Sequence, residues 1–121
     1  MQNLVGIIRT EVELKQALTE IGELQERAGK VGIEGHRQYN PGWHLSLDLW
    51  SMLAVSEGVT KAALERKESR GGHTRSDYPG MDPEFGKVNV RVHQDGDGIV
   101  VEQTPLPQMP DDLKQLFEEG H

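Results

Sequence analysis

The sequence predicts a mainly α fold that carries a short β-hairpin and an extended C-terminal tail. Three observations predict it. Two windows, 11–28 and 43–69, set apolar residues at helical spacing. The stretch 88–92 alternates strictly and is followed by a glycine-rich turn and a second β-branched run. Glycine (14) and proline (6) gather outside the two helical windows. The organisation expected is a helical domain over 1–79 and a tail over 80–121, with the hairpin at about 87–102 and a short helix at the end.

In chain order, Leu4, Val5, Ile7 and Ile8 fit two turns of helix or one strand equally well. Thr10 followed by Glu13 is a capping box, which satisfies two free N–H groups and starts a helix at Glu11. Leu14, Leu18, Ile21, Leu24 and Ala28 form its apolar stripe, and Glu11, Lys15, Glu20, Glu23 and Glu26 lie largely off it. Gly29 and Gly32 end it, and Asn40-Pro41-Gly42 marks the turn before the next helix. That second helix runs from about Trp43 to Ser69, roughly 40 Å at about 1.5 Å per residue, and Gly71-Gly72 is expected to stop it. Leu45, Leu49, Met52, Leu53, Ser56, Val59 and Ala63 form one stripe; Trp43, Leu47, Trp50, Ala54 and Gly58 form another. One neighbouring helix covers one stripe. The other needs the first eight residues or another polypeptide, and if left bare it drives self-association. Beyond Pro79, Val88–Val92 and Ile99–Glu102 flank Asp95-Gly96-Asp97-Gly98 as a hairpin, which needs a surface to lie on. Residues 104–110 hold three prolines and read as extended, and Leu113, Leu116 and Phe117 line one side of a terminal helix over 111–119.

Composition narrows the function classes. At 121 residues this is one small domain, thin in apolar residues at 35%. A net charge of −7 argues against nucleic acid and against anionic lipid. With no cysteine there is no disulfide, thiolate or cysteine-ligated metal. No apolar run approaches the roughly 18 residues of a membrane span, and the first ten residues lack the pattern of a signal peptide. A cytoplasmic setting is the expectation.

The candidate sites each meet a plainer reading. Asp95–Gly98 has apolar Ile99 and Val101 where a calcium loop needs oxygen ligands, so a hairpin turn is preferred. His36, His44, His73, His93 and His121 show no ligand spacing. The concentrated basic stretch is 66–77. Arg66, Lys67, Arg70, His73 and Arg75 alternate there with Glu65, Glu68 and Asp77. Such a set serves acid–base chemistry or an ion-paired joint, and a glycine-broken corner with several arginines favours the joint. Arg70 or Arg75 is expected to pair with a carboxylate such as Glu68 or Asp77 within this chain, or with one on a neighbouring domain. The expected structural and docking network is Arg66, Glu68, Ser69, Arg70, Gly71, His73, Arg75 and Asp77; the expected apolar partner surface is Trp43, Leu47, Trp50 and Ala54.

The run ERKESRGGHTRSDYP at 65–79 resembles the ESRGAHxRxDxP signature in the C-terminal domain of succinate dehydrogenase and fumarate reductase flavoprotein subunits. L-aspartate oxidase has a similar version. Within Met1–Gln16, Met1, Val5–Thr10 and Leu14 resemble a segment of the same family, and 39–53 its stretch before the long helix. Gly72 stands where alanine is common and Ser76 where an acidic residue is common. The resemblance implies a small three-helix bundle, spectrin-repeat-like, with its first helix truncated. It implies a parent oxidoreductase that interconverts succinate and fumarate with FAD and passes electrons to an iron–sulfur subunit. That parent would sit peripherally at the cytoplasmic face of a membrane. This chain would pack against the parent's flavin and capping domains as a structural buttress. The dinucleotide-binding glycine motif is absent, so FAD belongs to the parent and the expected catalytic, cofactor and metal residues of this chain are none. The alternatives are the equivalent domain of an L-aspartate oxidase and a free-standing helical interaction module.

Overall fold

Helix α1 (Glu11–Ala28) starts on its capping box: Thr10 Oγ1 accepts from Glu13 N–H, and Glu13 Oε2 accepts from Thr10 N–H at 3.0 Å. Gly29 caps the other end. The computed structural model describes residues 1–111, 113 and 114, so the terminal helix expected over 111–119 lies for the most part outside the described residues. Helix α2 (Pro41–Glu65) runs beside α1. Asn40 caps it through Gly42 N–H, and Pro41 occupies a first-turn position where its missing N–H costs nothing.

Among the described residues these are the two α-helices of the bundle. Where the first helix would stand, residues 1–5 make a single helical turn, with Val5 N–H donating to the Met1 carbonyl at 2.7 Å. The chain then straightens into β1 (Ile8–Arg9), which pairs in parallel with β2 (Thr74–Arg75). Residues 1–9 are thus neither the helix nor the full strand that their apolar content allowed. Leu4 and Val5 drop into the seam between the helices beside Leu14, Ala17, Ala63 and Leu64. A second cluster, Ile21, Ala28 and Leu53 with Leu49, continues the core along the seam.

Two expectations for α2 are corrected. The helix ends at Glu65, four residues before Ser69, because Arg66 turns extended and lets Glu68 point inward. Gly71 and Gly72 do not stop it. They form a tight turn between Arg70 and His73, and Gly71 has the positive φ of 58° that this turn requires. The buried stripe is also displaced: Leu49, Leu53, Thr60 and Ala63 face inward, while Leu45, Met52 and Val59 are exposed.

The hairpin is longer than expected. Strand β3 (Val88–Asp95) pairs antiparallel with β4 (Gly98–Pro105) across Gly96-Asp97, so Thr104 and Pro105 extend the ladder. Its surface is α2. A Cβ on Gly58 would stand 3.3 Å from Val92 Cγ1, so the missing side chain lets the sheet approach. Lys61 Nζ donates to the Ile99 carbonyl and Gln103 Nε2 to Glu65, tying β4 to the helix. The hairpin therefore covers Gly58 of the second α2 stripe, leaving Ala54 exposed and Leu47 and Trp50 about half exposed.

Candidate functional site

Beyond α2 the chain makes a close loop over 66–82, built round two charged side chains that are fully buried, Glu68 and Arg75. Charges are buried only when matched, and both are matched several times.

Glu68 accepts from Arg66 Nη1, from Arg70 Nε at 2.8 Å and from the backbone N–H of Asp82 at 2.8 Å. Arg66 and Arg70 then reach further. Arg66 donates to the carbonyls of Phe85 and Val88, and its guanidinium lies 5.6 Å from the Phe85 ring centre. Arg70 Nη2 donates to the Asp82 carbonyl at 3.1 Å. A Cβ on Gly86 would come within 3.1 Å of that Nη2, so glycine leaves room for the guanidinium. Glu68 thereby ties the end of α2 to the start of the hairpin. Its hydrogen bonds, with Arg70 foremost, outweigh the burial that opposes ionisation and hold its pKa down to about 2.

Arg75 works at the junction of the two helices. Its Nε and Nη2 form a fork on Asp77 at 2.8 and 2.7 Å. Its Nη1 donates to the carbonyls of Ala63 and Leu64, the otherwise unpaired last turn of α2. Asp77 also accepts from Glu11 N–H, the first of α1, at 2.9 Å. A cation thus sits on a helix C-terminus and an anion on a helix N-terminus, each matching the local macrodipole. The Arg75 pairing, ahead of the Glu11 N–H, holds the Asp77 carboxyl well below the usual carboxylate range. Arg75 further lies 5.0 Å from the Tyr78 ring centre.

Ser69 and His73 lock the backbone. Ser69 Oγ accepts from Arg75 N–H at 2.8 Å and faces the carbonyls of Arg75 and Tyr78. His73 Nε2 lies 3.0 Å from the Arg66 carbonyl and Nδ1 lies 3.0 Å from Arg9 Nη1. A carbonyl needs a donor and a guanidinium needs an acceptor, so His73 is neutral with its proton on Nε2. Burial, then the neighbouring cations, lowers its pKa.

The structure brings Arg66, Glu68, Ser69, Arg70, Gly71, His73, Arg75 and Asp77 into this one loop; Lys67 points to solvent. Sequence reasoning missed Arg9, Glu11 N–H and the backbone of Asp82. Arg9 lies 64 residues from its partner His73, and no spacing signal reaches that far. The apolar set divides. Ala54 and Trp50 border the hairpin cleft, Leu47 is exposed, and Trp43 is covered in part by Arg37 at 5.2 Å.

At the start of α1 the N–H groups of Glu11 and Glu13 are bound to Asp77 and Thr10, and α2 opens on Pro41 with Gly42 N–H bound to Asn40. Among the described residues no three His, Asp or Glu side chains gather as metal ligands would, and no helix is long and apolar enough to cross a membrane.

Fold and loop together define a small helical domain, clamped at one end by a buried ion-pair network and carrying a hairpin on its long helix. Its family follows from comparison with known proteins. The model of the family described as fumarate reductase flavoprotein C-term matches residues 1–113, and the chain belongs to that family. The fumarate reductase flavoprotein subunit of Mycobacterium tuberculosis is 37% identical over 101 residues, 83% of this chain and 17% of that protein. An L-aspartate oxidase of Acinetobacter baylyi is 36% identical over 88 residues, 73% of this chain and 16% of that one. The solved structure of Mycobacterium smegmatis Sdh1 superposes with a TM-score of 0.85 at 48% identity, over 97% of this chain and 20% of its own. The chain therefore spans a fifth or less of the length of these relatives.

Proposed function

We propose that this chain is the C-terminal buttress of a flavoprotein subunit that interconverts succinate and fumarate. In this reading the flavin and capping domains carry FAD and the chemistry, and an iron–sulfur subunit takes the electrons. The whole sits as a peripheral subunit at the cytoplasmic face of a membrane. The observation that supports a structural role is Arg75. It is fully buried, and its Nε, Nη1 and Nη2 all donate within the chain, to Asp77, Ala63 and Leu64. An arginine so buried and so bonded is committed to the fold. It fixes the angle between α1 and α2.

Two surfaces suit those neighbours. Trp43, Leu47, Trp50 and Ala54 form the apolar partner surface where the hairpin stops short. The α1–α2 seam is open from Met1 past Leu24 and Leu53 to Val31 and Leu45. Residues 1–5 make a helical turn beside it. In this reading the third helix of the bundle lies in that seam.

The similarity to an L-aspartate oxidase supports a second reading, the same buttress on a parent that oxidises L-aspartate. The test is Arg70→Ala and Arg75→Ala in the full subunit, scored for thermal stability, assembly with the iron–sulfur subunit and turnover per bound flavin, with succinate and L-aspartate each as substrate. Weakened assembly at unchanged turnover per flavin is expected. Lost turnover at wild-type stability and assembly would mean that the loop takes part in the chemistry.

A further inference from the structure

Strand β3 has an unpaired edge. The register pairs Val88 with Pro105 and Asp95 with Gly98, and Leu106 N–H donates to the Lys87 carbonyl. Bonded and non-bonded pairs alternate in an antiparallel ladder. Asn89, Arg91 and His93 therefore turn their backbone groups to β4, while Val88, Val90, Val92 and Gln94 turn theirs outward. The Val88 carbonyl is taken by Arg66 Nη2. On the opposite edge Lys61 takes the Ile99 carbonyl, and Pro105 ends the strand. Among the described residues the N–H and C=O groups of Val90 and Val92 bond nothing outside the hairpin. Eight residues long, β3 has no proline and its register no bulge; of the usual devices that blunt an edge it carries charged side chains, Arg91 and Asp95.

An apolar groove of about 440 Å³ runs beside that edge, lined by Ala54, Val55, Gly58, Val59, Ala62 and Val92. Val55 is 65% exposed and Val59 44%. A row of outward backbone donors and acceptors above an apolar trough is the receptor for an extended strand. The ladder supplies main-chain bonds, and the trough takes every second side chain.

We propose that the β3 edge takes an added strand from the polypeptide outside these 121 residues, with apolar side chains at alternate positions filling the groove. The proposal rests on the reading of the chain as one domain of a longer subunit. That longer chain is the favoured source because this one covers 20% of the Sdh1 chain. A second copy is disfavoured. The symmetric register centred on Arg91 sets Arg91 over Arg91, and each copy carries a net charge of −7. A strand with an acidic residue over Arg91 avoids both.

The experiment is amide hydrogen exchange on the full-length subunit and on the 121-residue chain. In the subunit, the Val90 and Val92 amides are expected to exchange on the order of a hundredfold slower than in the chain alone, near the rate of the ladder amides Asn89 and Arg91. Val90→Pro removes an N–H that lies outside the β3–β4 ladder. It should release the Val92 amide in the subunit and leave Asn89 and Arg91 protected. Free exchange of Val90 and Val92 in a stable, assembled subunit would overturn strand addition and leave the domain reading intact. A gene that encodes these residues with no flavin domain in frame would overturn the domain reading itself. Protection already present in the chain alone, with sedimentation as a dimer, would assign the edge to a second copy and overturn the proposal.

Discussion

Replacing Glu68 by glutamine tests the buried joint most directly. The shape is kept, but the charge is lost and one acceptor becomes a donor facing Arg66, Arg70 or the Asp82 N–H. Removing one member of a buried ion pair costs about 3–5 kcal/mol, because the partner is left uncompensated. Here the partners are not wholly buried: the Arg66 and Arg70 side chains are 19% and 38% exposed, so solvent screens part of the loss. A cost of about 3 kcal/mol, near the low end, is expected. With a urea slope of about 1.5 kcal/mol per M, the midpoint should fall by about 2 M. The assay is urea unfolding followed by far-UV circular dichroism at neutral pH, with the slope checked for constancy. The pH dependence gives a second readout. The folded pKa of Glu68 lies below its ordinary 4.5, at about 2. Its contribution is therefore fully present above about pH 4.5 and is lost as pH falls towards 2. Glu68→Gln should flatten that part of the acid limb. A midpoint loss worth less than about 1 kcal/mol, with the acid limb unchanged, would show that Glu68 acts as an exposed pair, and the reasoning fails.

Three further outcomes follow from other contacts. His73 has a lowered pKa in the fold, so its share of stability holds above its ordinary 6.5 and declines as pH drops below it; an NMR titration should find its imidazole protonating below its ordinary 6.5, and normal titration would refute the neutral tautomer. Gly58→Leu should lift the hairpin at Val92 without disturbing Arg75, read as a change in Trp50 fluorescence with the helical signal retained. Thr10→Ala removes the α1 cap and should cost about 1 kcal/mol in the same urea assay.

Local signals carried the elements whose causes are local. The α1 bounds were legible because Thr10 and Glu13 cap one another within three residues and Gly29 follows the last apolar position. The hairpin was legible from alternation and from Gly96, whose φ of 58° suits its tight turn. Legible too was the concentration of charge at 66–77, and so the place of the joint. The end of α2 was misplaced for a physical reason. A helix stops where its last carbonyls find other donors, and here the donor is Arg75, ten residues beyond the end.

By itself, the sequence determined the family, through the run at 65–79, and the type and order of the main elements. The tertiary structure alone decided which charges are buried. Arg66, Arg70 and Arg75 are alike as residues, yet Arg75 is fully buried between a helix end and Asp77, whereas Arg70 is 38% exposed. It also decided which apolar stripe became core, since Thr60 is buried while Leu45 and Met52 stand in solvent. Burial depends on what lies opposite a side chain, and what lies opposite is set by segments distant in sequence, such as residues 1–5 in the seam and β3 across Gly58. Periodicity records which face of a helix is apolar but holds no information on the partner that meets it.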